Sequence, residues 1–169
     1  MSASTALLVD AFGRIREVVE EVVDGLGPEE LGSRPDGRGN SLAWLVWHLT
    51  RVQDDHVAGA AGTEQVWTAD EWCAAFGLPF AEDDTGYGHS RRDVAKVRGL
   101  TAELLTGYHA AVHEGTVRFL RTLAVKDLDR IVDRGWTPPV TLGVRLVSVV
   151  ADDLQHAGQA AYVRGLLGK

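Results

Sequence analysis

The stretch VVADDLQHAGQAAYVR, Val149–Arg164, is a near-apolar run broken by Asp152 and His156. Its spacing predicts a helix: at roughly 100° per residue, Val149, Asp152, His156, Gln159 and Val163 fall on one side. The other side takes Leu146, Val150, Leu154, Ala157 and Ala161, at steps of three and four, as a packing stripe. A carboxylate and an imidazole one turn apart offer lone pairs to one point and can share a metal ion. The same residues, with Arg145, equally suit an ordinary solvated face, and for an isolated helix that is the commoner case.

Thr141 can cap this fourth helix, which is expected to continue to about Leu167. Upstream, WTPPVT breaks the chain, and Lys126–Trp136 reads as a short amphipathic turn. A third helix is predicted from around Arg91 or Leu100 to about Ala124, with a stripe of Leu105, Tyr108, Val112, Thr116, Phe119 and Leu123. His109 and His113 form another i, i+4 pair on its flank, a position expected to be solvated or to meet an interface.

The second helix begins near Asn40 or Ser41 and runs LAWLVWHLTRVQDDHVAGA. His48, among Trp44, Trp47 and Leu49, is expected to be half-buried and hydrogen-bonded; His56 lies two turns further on. The first helix spans about Thr5 to Leu26, with Leu8, Phe12, Ile15, Val19, Val22 and Leu26 as its core face. Between the first two helices, PEELGSRPDGRGN is a connector with at most one helical turn. After the second, TADEWCAAFG suggests a short helix capped by Thr68 with Glu71 as its capping-box partner, and LPFAEDDTGYGHS an extended loop. Cys73 reads as a small core residue and His89 as an exposed loop histidine.

Four long amphipathic segments, no alternating strand and one long connection between helices two and three define an all-α four-helix bundle, a single domain over residues 1–169. With two usable faces on helix four, one is expected to pack in the bundle and the other to meet a second copy, giving a homodimer. The net charge of −7 without a dense Lys/Arg cluster argues against nucleic acid. The absence of a long apolar run argues against a membrane span. One cysteine and a first segment, MSASTALLVDAFGR, without the features of a signal peptide point to a cytoplasmic protein.

NSLAWLVWHLTRVQDDH, the FGLPF…DTGYGHS connector and DDLQHAGQAAYVRG carry a further signal. With His48, Asp152 and His156 placed, the chain resembles the DinB/YfiT-like superfamily, and within it the actinobacterial branch related to mycothiol-dependent maleylpyruvate isomerases. The resemblance implies a DinB-like four-helix bundle that holds a divalent metal, zinc first and nickel second, through three side chains. They are the helix-two His, matched by His48; the residue four before the helix-four His, matched by Asp152; and that His, matched by His156. Relatives carry His or Glu where this chain has Asp152. Aspartate is one methylene shorter, so a water could intervene, or Asp153 or His56 could take its place. Gln159 is placed to hydrogen-bond a ligand from behind.

The activity so implied is transfer of a low-molecular-weight thiol, such as mycothiol or bacillithiol, to a small electrophile, or thiol-assisted isomerisation. Two other classes compete with this enzyme reading: a metal-binding or stress-related bundle without catalysis, and a purely structural interaction module.

Overall fold

The computed structural model describes all residues 1–169. Helix α1 (Ala3–Val23) is capped by the Ser2 hydroxyl, which accepts from the Thr5 amide. A short α2 (Pro28–Gly32) follows, and α3 (Leu42–Ala61) starts under Ser41, whose hydroxyl accepts from the Trp44 amide. The connection to the next long helix contains α4 (Val66–Ala69), α5 (Trp72–Phe76) and α6 (Arg91–Val94). Helix α7 (Ala102–Thr122) is capped by Thr101, and α8 (Leu142–Leu166) by Thr141. In each long helix a hydroxyl satisfies an amide that the first turn leaves unpaired.

The long helices α1, α3, α7 and α8 pack as an all-α four-helix bundle. Helix α3 is the most deeply buried of the four because LAWLVWHL is apolar nearly all round, and every residue from Leu42 to Arg51 is buried. Phe12, Ile15, Val19 and Val22 of α1 and Leu105, Tyr108, Val112 and Leu120 of α7 complete the core. Each large apolar side chain so buried contributes about 2 kcal/mol. No helix is long and apolar enough to cross a membrane.

Several local expectations change. Thr68 is not an N-cap: it lies inside α4, where its hydroxyl donates to the Gln65 carbonyl, and Glu71, at φ +60°, precedes α5 instead. The third helix begins at Ala102, and Arg91–Val94 is a separate turn under a Ser90–Asp93 capping box. Within Lys126–Trp136 the chain forms a 3₁₀ turn and then a strand, β1 (Ile131–Asp133), paired antiparallel with β2 (Val140–Thr141). His109 is completely buried in the bundle, not solvated.

On α8 the buried positions are Leu142, Leu146, Val149, Asp153, Ala157, Ala160 and Val163, whereas Leu154 and Ala161 of the anticipated stripe are exposed. The helix is therefore rotated from the orientation that hydrophobic spacing suggests. This rotation turns Val149 and Val163 into the core and leaves Asp152 and His156 half-buried at its edge.

Candidate metal centre

Helices α3 and α8 form the most extensive helix pair of the bundle, and their contact brings His48 beside Asp152 and His156. One ligand atom from each of the three lies within 4.8 Å of the others. The imidazoles of His48 and His156 meet edge to face at a ring separation of 4.7 Å. His156 Nε2 is 3.8 Å from Asp152 Oδ1, and its Nδ1 is 3.3 Å from Gln159 Oε1. Gln159 thus stands behind His156 on the same helix, as its three-residue spacing predicts.

The donor set suits a divalent cation on two observations. Asp152 Oδ2 is shielded from solvent and has no hydrogen-bond partner, a costly state for a carboxylate oxygen unless a cation approaches it. His48 Nδ1 bonds the Thr85 carbonyl, which only accepts, so Nδ1 carries the hydrogen and the Nε2 lone pair remains available. Burial lowers the His48 pKa, which keeps the ring neutral, the form that ligates.

The other two candidates lie elsewhere. Asp153 points into the core, with neither carboxylate oxygen hydrogen-bonded, and burial raises its pKa well above the usual carboxylate range. His56 sits with Asp55 and Arg145, its Nδ1 3.3 Å from Arg145 Nη1, and burial, followed by the arginine charge, lowers its pKa. Neither contributes an atom to the convergent group.

A cavity of about 680 Å³ opens over His48 and Asp152. Its wall includes His56, Arg145 and Ser148, with the exposed rings of Tyr87 and Trp136 at its edge. A small molecule entering it would meet His48 and Asp152 at one end and a polar wall at the other.

Spacing could not reveal the surroundings of the site. His89, expected on an exposed loop, is largely buried: its Nδ1 accepts from Trp44 Nε1 at 3.1 Å and its Nε2 lies 3.0 Å from Asp84 Oδ2. Arg51 is completely buried. It donates to Gln65 Oε1 and the Asp84 carbonyl, lies over the Trp67 ring and pairs with Asp54 at 3.7 Å. Asp54 in turn accepts from the Val66 and Trp67 amides and the Tyr108 hydroxyl, although burial still raises its pKa. These bonds fasten the connection between α3 and α7 to the bundle. Cys73 is a free, half-buried thiol packed against the core.

The all-α four-helix bundle is the fold of the DinB/YfiT-like superfamily. The family model for mycothiol-S-transferase matches residues 7–168, and the chain belongs to that family. A solved structure described as the conserved protein of locus from Enterococcus faecalis is 32% identical. It covers 100% of this chain and 99% of its own, with a TM-score of 0.92. No curated protein matches the chain.

Proposed function

We propose that this protein is a divalent-metal-dependent enzyme that activates a low-molecular-weight thiol, such as mycothiol, for transfer to a small electrophile or for thiol-assisted isomerisation. The observation that carries this reading is the convergence of His48, Asp152 and His156, the first two lining an open cavity, in a chain of the mycothiol-S-transferase family. Zinc is the first expectation and nickel the second, since two imidazoles and a carboxylate suit either ion and three protein ligands leave a position open. A bound divalent cation would stabilise the thiolate over the thiol and so supply a nucleophile at neutral pH.

The chain's own residues account for the remaining requirements. His48 and His156 hold their lone pairs toward one point, with Thr85 and Gln159 bonded to their other nitrogens. Asp152 supplies the negative charge that balances part of the cation's. Tyr87 and Trp136 stand at the rim of the cavity, while Arg145 and Ser148 offer hydrogen bonds to a polar group of the thiol or the electrophile. The reading extends to a homodimer through the outer face of α8, where Val144, Val147, Leu154 and Tyr162 are exposed.

The test is elemental analysis of tag-free protein, wild type beside His48→Ala, Asp152→Ala and His156→Ala, followed by assays of added thiol with a panel of electrophiles. Near-stoichiometric metal that drops in all three variants, with thiol-dependent loss of an electrophile that vanishes in His156→Ala, is the expected result. Metal without thiol-dependent turnover would refute the enzyme reading, and no metal after reconstitution would refute the site.

A further inference from the structure

The loop between Phe80 and Ser90 closes a ring of contacts around His48. His48 Nδ1 donates to the Thr85 carbonyl. The next amide, that of Gly86, donates to Asp84 Oδ1 at 2.7 Å, and Asp84 Oδ2 is 3.0 Å from His89 Nε2. His89 Nδ1 accepts from Trp44 Nε1 at 3.1 Å, and the Trp44 ring stacks on His48 at 4.6 Å. The ring is closed.

Chemistry fixes the protons along it. An indole nitrogen only donates, so His89 Nδ1 holds the lone pair and its Nε2 carries the hydrogen toward the Asp84 carboxylate. The turn is also fixed sterically. Gly86 has φ +87°, and a Cβ there would lie 2.9 Å from both His48 Nδ1 and the Trp47 ring. His89 is itself packed between Trp47 and Phe80. Arg51 anchors the start of the loop through the Glu82 and Asp84 carbonyls.

We propose that His89, together with Asp84, is a positioning residue for His48. The pair holds the Thr85–Gly86 turn on one edge of the imidazole and the Trp44 ring on its face. His48 thereby keeps a single tautomer, with Nδ1–H toward the loop and Nε2 toward Asp152 and His156. An imidazole otherwise rotates readily about its terminal torsion and exchanges tautomers. Groups that orient a ligating histidine in this way typically carry a 10–100-fold effect on metal affinity. The consequence for metal binding rests on the ligand reading above; the ring of contacts does not.

The experiment compares metal-free, ¹⁵N-labelled wild type, His89→Leu and His89→Gln. Two-bond ¹H–¹⁵N spectra report the His48 tautomer, and chelator competition then gives the zinc affinity. Wild type is expected to show one Nδ1–H tautomer. His89→Leu should show a mixture and bind zinc about 10–100-fold more weakly. His89→Gln should recover both, because its amide oxygen can accept from Trp44 while its NH₂ donates to Asp84. Trp44→Phe cuts the same link from the other side while keeping a ring on His48, so it decides the matter should His89→Leu fail to fold. An unmixed tautomer with wild-type affinity in His89→Leu or Trp44→Phe would overturn the proposal. So would equal losses in the Leu and Gln variants. A wild type that takes up no zinc would refute the ligand reading, and the tautomer comparison would still decide the role of His89.

Discussion

His109→Leu is expected to flatten the acid limb of the stability curve. His109 is 1% exposed, and its Nε2 has no hydrogen-bond partner. Burial, with smaller contributions from His113 and Arg16, lowers its pKa to about 3. The unfolded chain titrates near the ordinary value of about 6.5. Above that pH the ring is neutral in both states and its titration takes nothing from stability. As the pH falls below it, the unfolded chain takes up a proton that the folded chain refuses. Stability then declines by about 1.4 kcal/mol per pH unit until the folded group titrates. Between pH 6.5 and 4.5 this amounts to roughly 2–3 kcal/mol, and over the whole interval to about 5 kcal/mol. Leucine fills a similar volume and removes the unpaired nitrogen. Urea denaturation of chelator-treated protein at several pH values is the assay. His48, His56 and His113 are lowered by burial as well, so the difference between variant and wild type isolates His109. At pH 7.5 the variant should match or exceed wild type, and the gap should widen in its favour down to pH 4.5. Parallel curves would refute the reasoning.

Arg51→Met is expected to cost about 3–5 kcal/mol in urea denaturation, because it leaves the Asp54 carboxylate buried without its cation; a loss below 1 kcal/mol would count against that ion pair. Asp153→Leu should keep the metal stoichiometry and raise stability at pH 7 by about 1–3 kcal/mol, since it deletes two unpaired carboxylate oxygens. Because burial raises the Asp153 pKa, its carboxyl is tolerated below the unfolded value and becomes costly as the pH rises, so the advantage of leucine should grow above pH 4. Sedimentation at micromolar concentration should give twice the monomer mass for wild type and the monomer mass for Tyr162→Glu, a change on the exposed face of α8.

How far the candidate centre was legible depended on whether its parts were local. Asp152, His156 and Gln159 lie on one helix, so a spacing of three or four residues suffices to align them. His48 is about a hundred residues away, and only the family resemblance joined it to them; the packing of α3 on α8 supplies the contact. His89 reads from the sequence as an exposed loop residue because the bonds that bury it run to Trp44 and Asp84. A clue was present: an acid two residues before a glycine and five before a histidine can close such a turn on itself.

The sequence by itself determined the four long helices, the hydroxyl caps of α3 and α8 and the all-α class, because helical period and capping are short-range properties. It did not determine the rotation of α8. A helix with apolar residues on more than one face has no single azimuth of its own, and the surfaces of α1 and α3 decided that Asp153 would be buried and Leu154 exposed. Likewise, Arg51 and His109 are polar residues whose burial no pattern of neighbours along the chain announces. Their positions are set by contacts across the bundle, and tertiary packing alone fixes those.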